Sequence, residues 1–216
     1  MAVIAQNTSR IAATAEIAAM LAVLLSYIWG WQGSFPGSWM LVILLYFGLG
    51  AASHVRRGET PELLGLGAYN VGPALRKVAT VVVPASALVL AASAALDSWH
   101  FPSWQRFFSG LPWMVAWAVA QQYGLLCFFY RGFLEILEHP GAATIAAAVT
   151  FAVCHAPNGF LMAVTLAAGV VACTIYRRSP NVIVIGLGHA TMSFFLFYAL
   201  PFNLTHGLHV GPGFYS

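Results

Sequence analysis

The stretch 181–200, NVIVIGLGHATMSFFLFYAL, runs for twenty residues without a charged side chain. At about 1.5 Å per residue a helix of that length crosses the roughly 30 Å hydrocarbon core of a bilayer. Six further stretches of this kind precede it, at about 11–31, 38–54, 75–96, 111–137, 140–156 and 158–177. The whole chain agrees with them: of 216 residues 60% are hydrophobic and only 7% charged, against about 25% charged in soluble domains. Such a chain cannot cover a water-facing surface, which excludes a soluble enzyme, a nucleic-acid binder and a disordered tail. Inside lipid every backbone amide must be bonded within the protein, and the period-2 alternation of a membrane barrel is missing. The expected fold is all-α, a polytopic membrane bundle of about seven transmembrane helices. With no repeat or low-complexity linker, 1–216 reads as a single integral membrane domain.

The charges orient it. Seven spans put Arg10, Arg56, Arg57, Arg76, Lys77, Arg177 and Arg178 on one side and Arg106 alone on the other. By the positive-inside rule the N-terminus is cytoplasmic and the tail from Pro201 to Ser216 lies outside. The expected setting is a bacterial inner membrane, with the first span a retained anchor rather than a signal peptide. The aromatic stretch 98–110 reads as an outer segment lying in the interface. Pro102, Pro112, Pro140, Pro157 and Pro180 are expected at or near helix ends. Cys127, Cys154 and Cys173 show no metal or disulfide spacing and read as small buried side chains.

Polar groups in a span are expensive, so each marks a candidate site. Gln121 and Gln122 lie in the fourth stretch, followed by Arg131, Gly132 and Glu135; His155 and Asn158 lie at the end of the fifth; His189 and Ser193 lie one turn apart in the seventh. At helical rise, Gln121, Gln122 and His189 sit near mid-membrane and His155 toward the outer end. Arg131 and Glu135, at i and i+4, predict an ion pair. Glu16 reads as incidental, Glu138 and His139 as loop. Ala168, Gly169 and Ala172 predict a small-residue packing face. His206 and His209 read as part of an ordered outer loop.

The run Tyr130-Arg131-Gly132-Phe133-Leu134, then Phe151-x-x-x-His155, then His189-x-x-x-Ser193, resembles the CAAX-protease and bacteriocin-processing (CPBP, or Abi) intramembrane proteases. That family's signature is Glu-Glu-x-x-x-Arg-Gly, Phe-x-x-x-His and His-x-x-x-Asn/Asp. Arg57-Gly58 with Leu64-Gly65-Leu66 resembles the loop before its core, and the likeness spans roughly 55–200. The glutamate pair is missing. Counted from Arg131-Gly132 it falls on Leu126 and Cys127; counted from His155 it falls on Gln121 and Gln122, the preferred replacement. On an α-helix Gln122 and Leu126 would share a face. The third motif ends in Ser193.

The resemblance implies a glutamate that activates water, and an uncharged amide is no base at neutral pH. The expected site therefore has His155 or His189 as base. Gln122 joins them, with Gln121, Asn158, Arg131 and Ser193 supporting or stabilising an oxyanion. The sequence requires no cofactor. A metal on His155 and His189 would lack the carboxylate or thiolate that completes a catalytic zinc site. The expected function is a divergent intramembrane hydrolase or protease acting on a membrane-embedded or lipid-linked substrate. The alternatives are an inactive member serving as a membrane scaffold or binding subunit, and non-hydrolytic acid/base chemistry on an isoprenoid or other apolar ligand. CAAX tails themselves are not the expected substrate, because the His/Gln cluster lies nearer the outer leaflet and prenylated tails are presented from the cytoplasm.

Overall fold

A computed structural model describes residues 2–215 of the chain, so Ser216 of the tail lies outside the described residues. Among the described residues the regular structure is all helical, with no strand. In order it runs α1 (Ala2–Ser26) with a π turn (Tyr27–Trp31), α2 (Ser38–Arg57), α3 (Val71–Leu96) and α4 (Trp104–Gln122). A π-helical segment (Tyr123–Tyr130) follows, then α5 (Arg131–Leu137), α6 (Pro140–Val153), α7 (Gly159–Arg178), α8 (Val182–Ala199) and α9 (Phe202–Thr205), and 3-10 turns end the described chain. Five of the expected stretches form helices long and apolar enough to cross a membrane: Gln6–Trp31, Ser38–Arg57, Val71–Leu96, Gly159–Arg178 and Val182–Ala199. Large side chains on them face outward, Leu44 at 65% exposure and Leu88 at 72%. Water does not tolerate apolar surface on that scale. This is an integral membrane protein.

The other two stretches differ from expectation. The run 111–137 is interrupted, because α4 passes into the π segment at Tyr123 before α5 resumes. Bonds from i to i+5 widen the winding there, so the α-helical count does not carry through from Gln122 into the segment that follows. The helix expected over 140–156 stops at Val153, fourteen residues long, and Cys154–Pro157 form a turn. Pro112 lies inside α4, not at its end. The aromatic stretch 98–110 is not a separate interfacial segment: from Trp104 on it is the opening of α4, capped by Ser103.

The chain forms two compact units. The first comprises residues up to Thr60, Gly124–Cys173 and those from Val210. Its core buries Ala13, Ile17 and Met20 of α1 and Leu125–Tyr130 of the π segment. Gly169 of α7 packs on Ala148 of α6 so closely that a Cβ would lie 3.0 Å from the Ala148 Cα. This is the expected small-residue contact; Ala172 is buried with it and Ala168 is exposed. The second unit comprises Pro61–Tyr123 and Thr174–His209. Here Asn181 ties the loop before α3 to the start of α8. Its Oδ1 accepts from the Val184 N–H at 2.9 Å, and its Nδ2 donates to the Gly67 and Tyr69 carbonyls at 3.0 and 2.6 Å. The cap and the clamp are one side chain.

Candidate functional site

In the second unit α4 and α8 touch at backbone level. A Cβ on Gly186 would lie 2.6 Å from Val119 Cγ2 and 2.9 Å from its Cα, so only glycine fits. One turn further along each helix, that contact brings Gln122 onto His189. The Gln122 Nε2 donates to His189 Nδ1 at 2.9 Å. Gln122 is 3% exposed, and its Oε1 is buried without a hydrogen-bond partner. An orphaned amide oxygen costs about 1–3 kcal/mol, and an exception of this kind marks where a donor is missing. His189 is half-buried, as are Gln121 beside the pair and Ser193 one turn on.

In this orientation the proton of His189 sits on Nε2. Turning the amide by 180° is isosteric. It puts Oε1 against Nδ1–H and the basic lone pair on Nε2. The same orientation supports the imidazolium, whose two nitrogens both donate.

His155 belongs to the first unit. It sits in the turn after α6, past the point where the helix expected over 140–156 stops. Its Nδ1 lies 2.6 Å from the Phe151 carbonyl, and its ring meets the Phe151 ring edge-on with centroids 4.7 Å apart. A carbonyl only accepts, so Nδ1 carries the proton and Nε2 the lone pair. Asn158, fully buried, caps α7: its Oδ1 accepts from the Leu161 N–H at 3.0 Å. The tail reaches this turn through Gly211, whose N–H donates to the Ala156 carbonyl at 2.8 Å.

The first unit also holds a charge cluster that the sequence did not announce. Arg131 does not pair with Glu135. It pairs with Glu59, which is 5% exposed and also meets His54 Nδ1 at 2.7 Å and Arg57 Nε at 3.4 Å. A carboxylate that deep must be matched by charge, and this requirement overrides the i,i+4 spacing. Burial by itself pushes the Glu59 carboxyl up, but the hydrogen bonds of His54 and Arg131 and the nearby Arg57 and Arg131 charges outweigh it and hold it below the usual carboxylate range. Glu135 is gripped by Arg56 at 2.8 and 2.9 Å and by Ser9. Glu16, far from incidental, takes the rest of Arg56 at 2.6 and 2.9 Å and accepts from Ser53 at 2.5 Å. α1, α2 and α5 are thereby bound together. Glu138 caps the end of α5 and pairs with Arg10 at 2.6 Å; the Arg10 hydrogen bond, then that of Gln6, holds its carboxyl low. Only the acid placed two residues beyond the Arg56-Arg57 pair, at a span end, signals Glu59 in the sequence.

Among the described residues no three His, Cys, Asp or Glu side chains gather as metal ligands. Residues 125–195 match the family model described as Rce1-like, type II CAAX prenyl endopeptidase. The match contains Arg131, His155, Asn158, His189 and Ser193 and stops just short of Gln121 and Gln122. Neither a curated protein nor a solved structure matches the chain. The family is one of proteases, and its matched segment carries all three of the motifs around Arg131, His155 and His189. Residues 125–195, about a third of the chain, are thus similar to the type II CAAX prenyl endopeptidases, and the similarity is limited to that segment.

Proposed function

We propose that this protein is an intramembrane hydrolase of the CAAX-protease type in which the glutamate pair is replaced by an amide. The hydrogen bond between buried Gln122 and His189 carries the proposal. With Oε1 of Gln122 against Nδ1–H, Nε2 of His189 takes a proton from water as the water attacks a substrate carbonyl. The amide then faces the imidazolium, a weaker stabiliser than a carboxylate, so the reaction is slow for the family. Gln121 and Ser193, on either side of the pair, are proposed to bind the oxyanion. His155 is a second required imidazole; its place in the Phe-x-x-x-His motif and its Nε2 lone pair support that role. Arg131 and Asn158 support the fold locally, by the Glu59 pair and the α7 cap.

The substrate is a membrane-embedded or lipid-linked peptide, the N-terminus is cytoplasmic and the C-terminus outside, and the membrane is a bacterial inner membrane. No cofactor is invoked, and 1–216 acts as one domain. The amide in place of a carboxylate favours a second reading, a scaffold or binding subunit without turnover.

One experiment separates them. Purified protein in proteoliposomes is assayed with fluorogenic transmembrane and lipid-linked peptides, alongside His189→Ala and His155→Ala. Hydrolysis that falls at least 100-fold in both variants supports the hydrolase. No turnover with any probe supports the scaffold, and turnover unaffected by either substitution overturns the histidine assignment.

A further inference from the structure

In the first unit an open cavity of about 300 Å³ is lined by Arg57, Glu59, Arg131, Leu134 and Glu135. The Arg57 side chain is 8% exposed. Its Nη2 donates to Ser53 Oγ at 2.5 Å and its Nε lies 3.4 Å from Glu59 Oε2, too long and poorly aimed for a hydrogen bond, while Nη1 is buried with no partner at all. Nη1 lies over Gly132, 3.6 Å from where a Cβ would stand. Buried guanidinium N–H groups left unmet are costly, more so than neutral donors, and a planar guanidinium fits a phosphate or carboxylate edge.

The neighbouring charges decide which ligand fits. Glu59 is met by Arg131 and Glu135 by Arg56, and with Glu16 the cluster holds three guanidiniums and three carboxylates. A simple anion on Arg57 would also sit beside the carboxylates of Glu59 and Glu135 and leave them facing its charge. A simple cation would face two guanidiniums. A zwitterion satisfies both. Glu135 accepts from Arg56 and Ser9 and retains acceptor capacity on Oε2, since a carboxylate takes about four hydrogens. Arg57 closes the membrane-crossing helix Ser38–Arg57, which is the depth of lipid headgroups. The cavity is at the lower end of small-ligand sites, large enough for a headgroup and too small for a folded peptide. Leu134 supplies an apolar wall.

We propose that this cavity binds a phosphate-plus-primary-ammonium zwitterion, the headgroup of a phosphoethanolamine lipid, with the phosphate on Nη1 of Arg57 and the ammonium on Glu135. The site is independent of the His/Gln chemistry.

Native mass spectrometry of the full chain in detergent tests it, with phosphatidylethanolamine, phosphatidylcholine and phosphatidylglycerol of matched acyl chains. Phosphatidylethanolamine should be retained at least tenfold better than either. Phosphatidylcholine keeps the phosphate but has no N–H, and phosphatidylglycerol has no cation; equal retention of either overturns the proposal. Arg57→Gln should abolish the preference. Because that variant alters a buried group, Leu134→Trp is the second arm: it fills the cavity, leaves every ion pair in place, and should also abolish the preference at unchanged melting temperature. Preference surviving in folded forms of both variants overturns the proposal. Displacement by millimolar free phosphoethanolamine means that the headgroup alone suffices; phosphatidylethanolamine preference without displacement means that the lipid is the ligand. Either result supports the phosphate–ammonium chemistry.

Discussion

Gln122 and His189 meet because Val119 and Gly186 do. The four residues form two contacts one turn apart on α4 and α8, the first a backbone approach with no room for a Cβ, the second a 2.9 Å hydrogen bond. The polar pair is thus set by an apolar one. One end of the buried amide meets His189 and the other has no hydrogen-bond partner, whichever way the amide is turned.

A carboxylate at position 122 should strengthen the pair. Gln122→Glu restores a stronger acceptor for Nδ1–H and a group able to take a proton itself. Proteoliposome hydrolysis is expected to rise by about 10-fold or more, within the range general bases contribute, with the rate falling at acid pH as the carboxyl protonates. Gln122→Leu should lower the rate instead. A Gln122→Glu protein that is folded and slower than wild type would contradict the assigned role.

Packing should govern the site from a distance. Gly186→Ala forces a methyl into Val119, whereas a Cβ on Gly213 meets nothing within 4 Å. Overpacking costs about 1–3 kcal/mol, so Gly186→Ala should lower the thermal midpoint and the rate together. Gly213→Ala should leave both unchanged in a thermal-shift and activity comparison.

Glu59 should make stability depend on acid. Its folded pKa lies below the ordinary value, so folding favours the ionised form. The contribution is fully present above about pH 4.3, the unfolded value, and is lost as pH falls through the folded pKa. Glu59→Gln should cost about 3 kcal/mol at neutral pH, since it leaves buried guanidinium uncompensated, and should flatten the acid limb of a denaturation series. In a double-mutant cycle, Glu59 and Arg131 should couple by at least about 1 kcal/mol and Glu135 and Arg131 by much less. The reverse ranking would restore the i,i+4 pair.

Topology is tested directly. Reporter fusions active only in the cytoplasm or only outside are expected to place the N-terminus in and the C-terminus out. Two termini on the same side would move the proposed site to the other leaflet and reopen cytoplasmic tails as substrates.

The membrane character of this chain was legible in runs such as 181–200, because bilayer thickness and the need to bond every amide leave one solution for a long uncharged stretch. The small-residue contact at Gly169 was legible for a similar local reason. Motif order around Arg131, His155 and His189 pointed to the family, which the match over 125–195 supports. What a residue pairs with was a different matter. Arg131 chose Glu59, distant in sequence, over Glu135 on its own helix, because Glu59 is the more deeply buried carboxylate and Glu135 is already met by Arg56. The π winding over Tyr123–Tyr130 interrupted a run that reads as one continuous α-helix in the sequence. His155 left its helix for a turn. Sequence alone determined that the helices lie in a bilayer, since that depends on each segment's own composition. Only the tertiary structure decided partners and facing, since these depend on how close two backbones come and on which buried charges must be met.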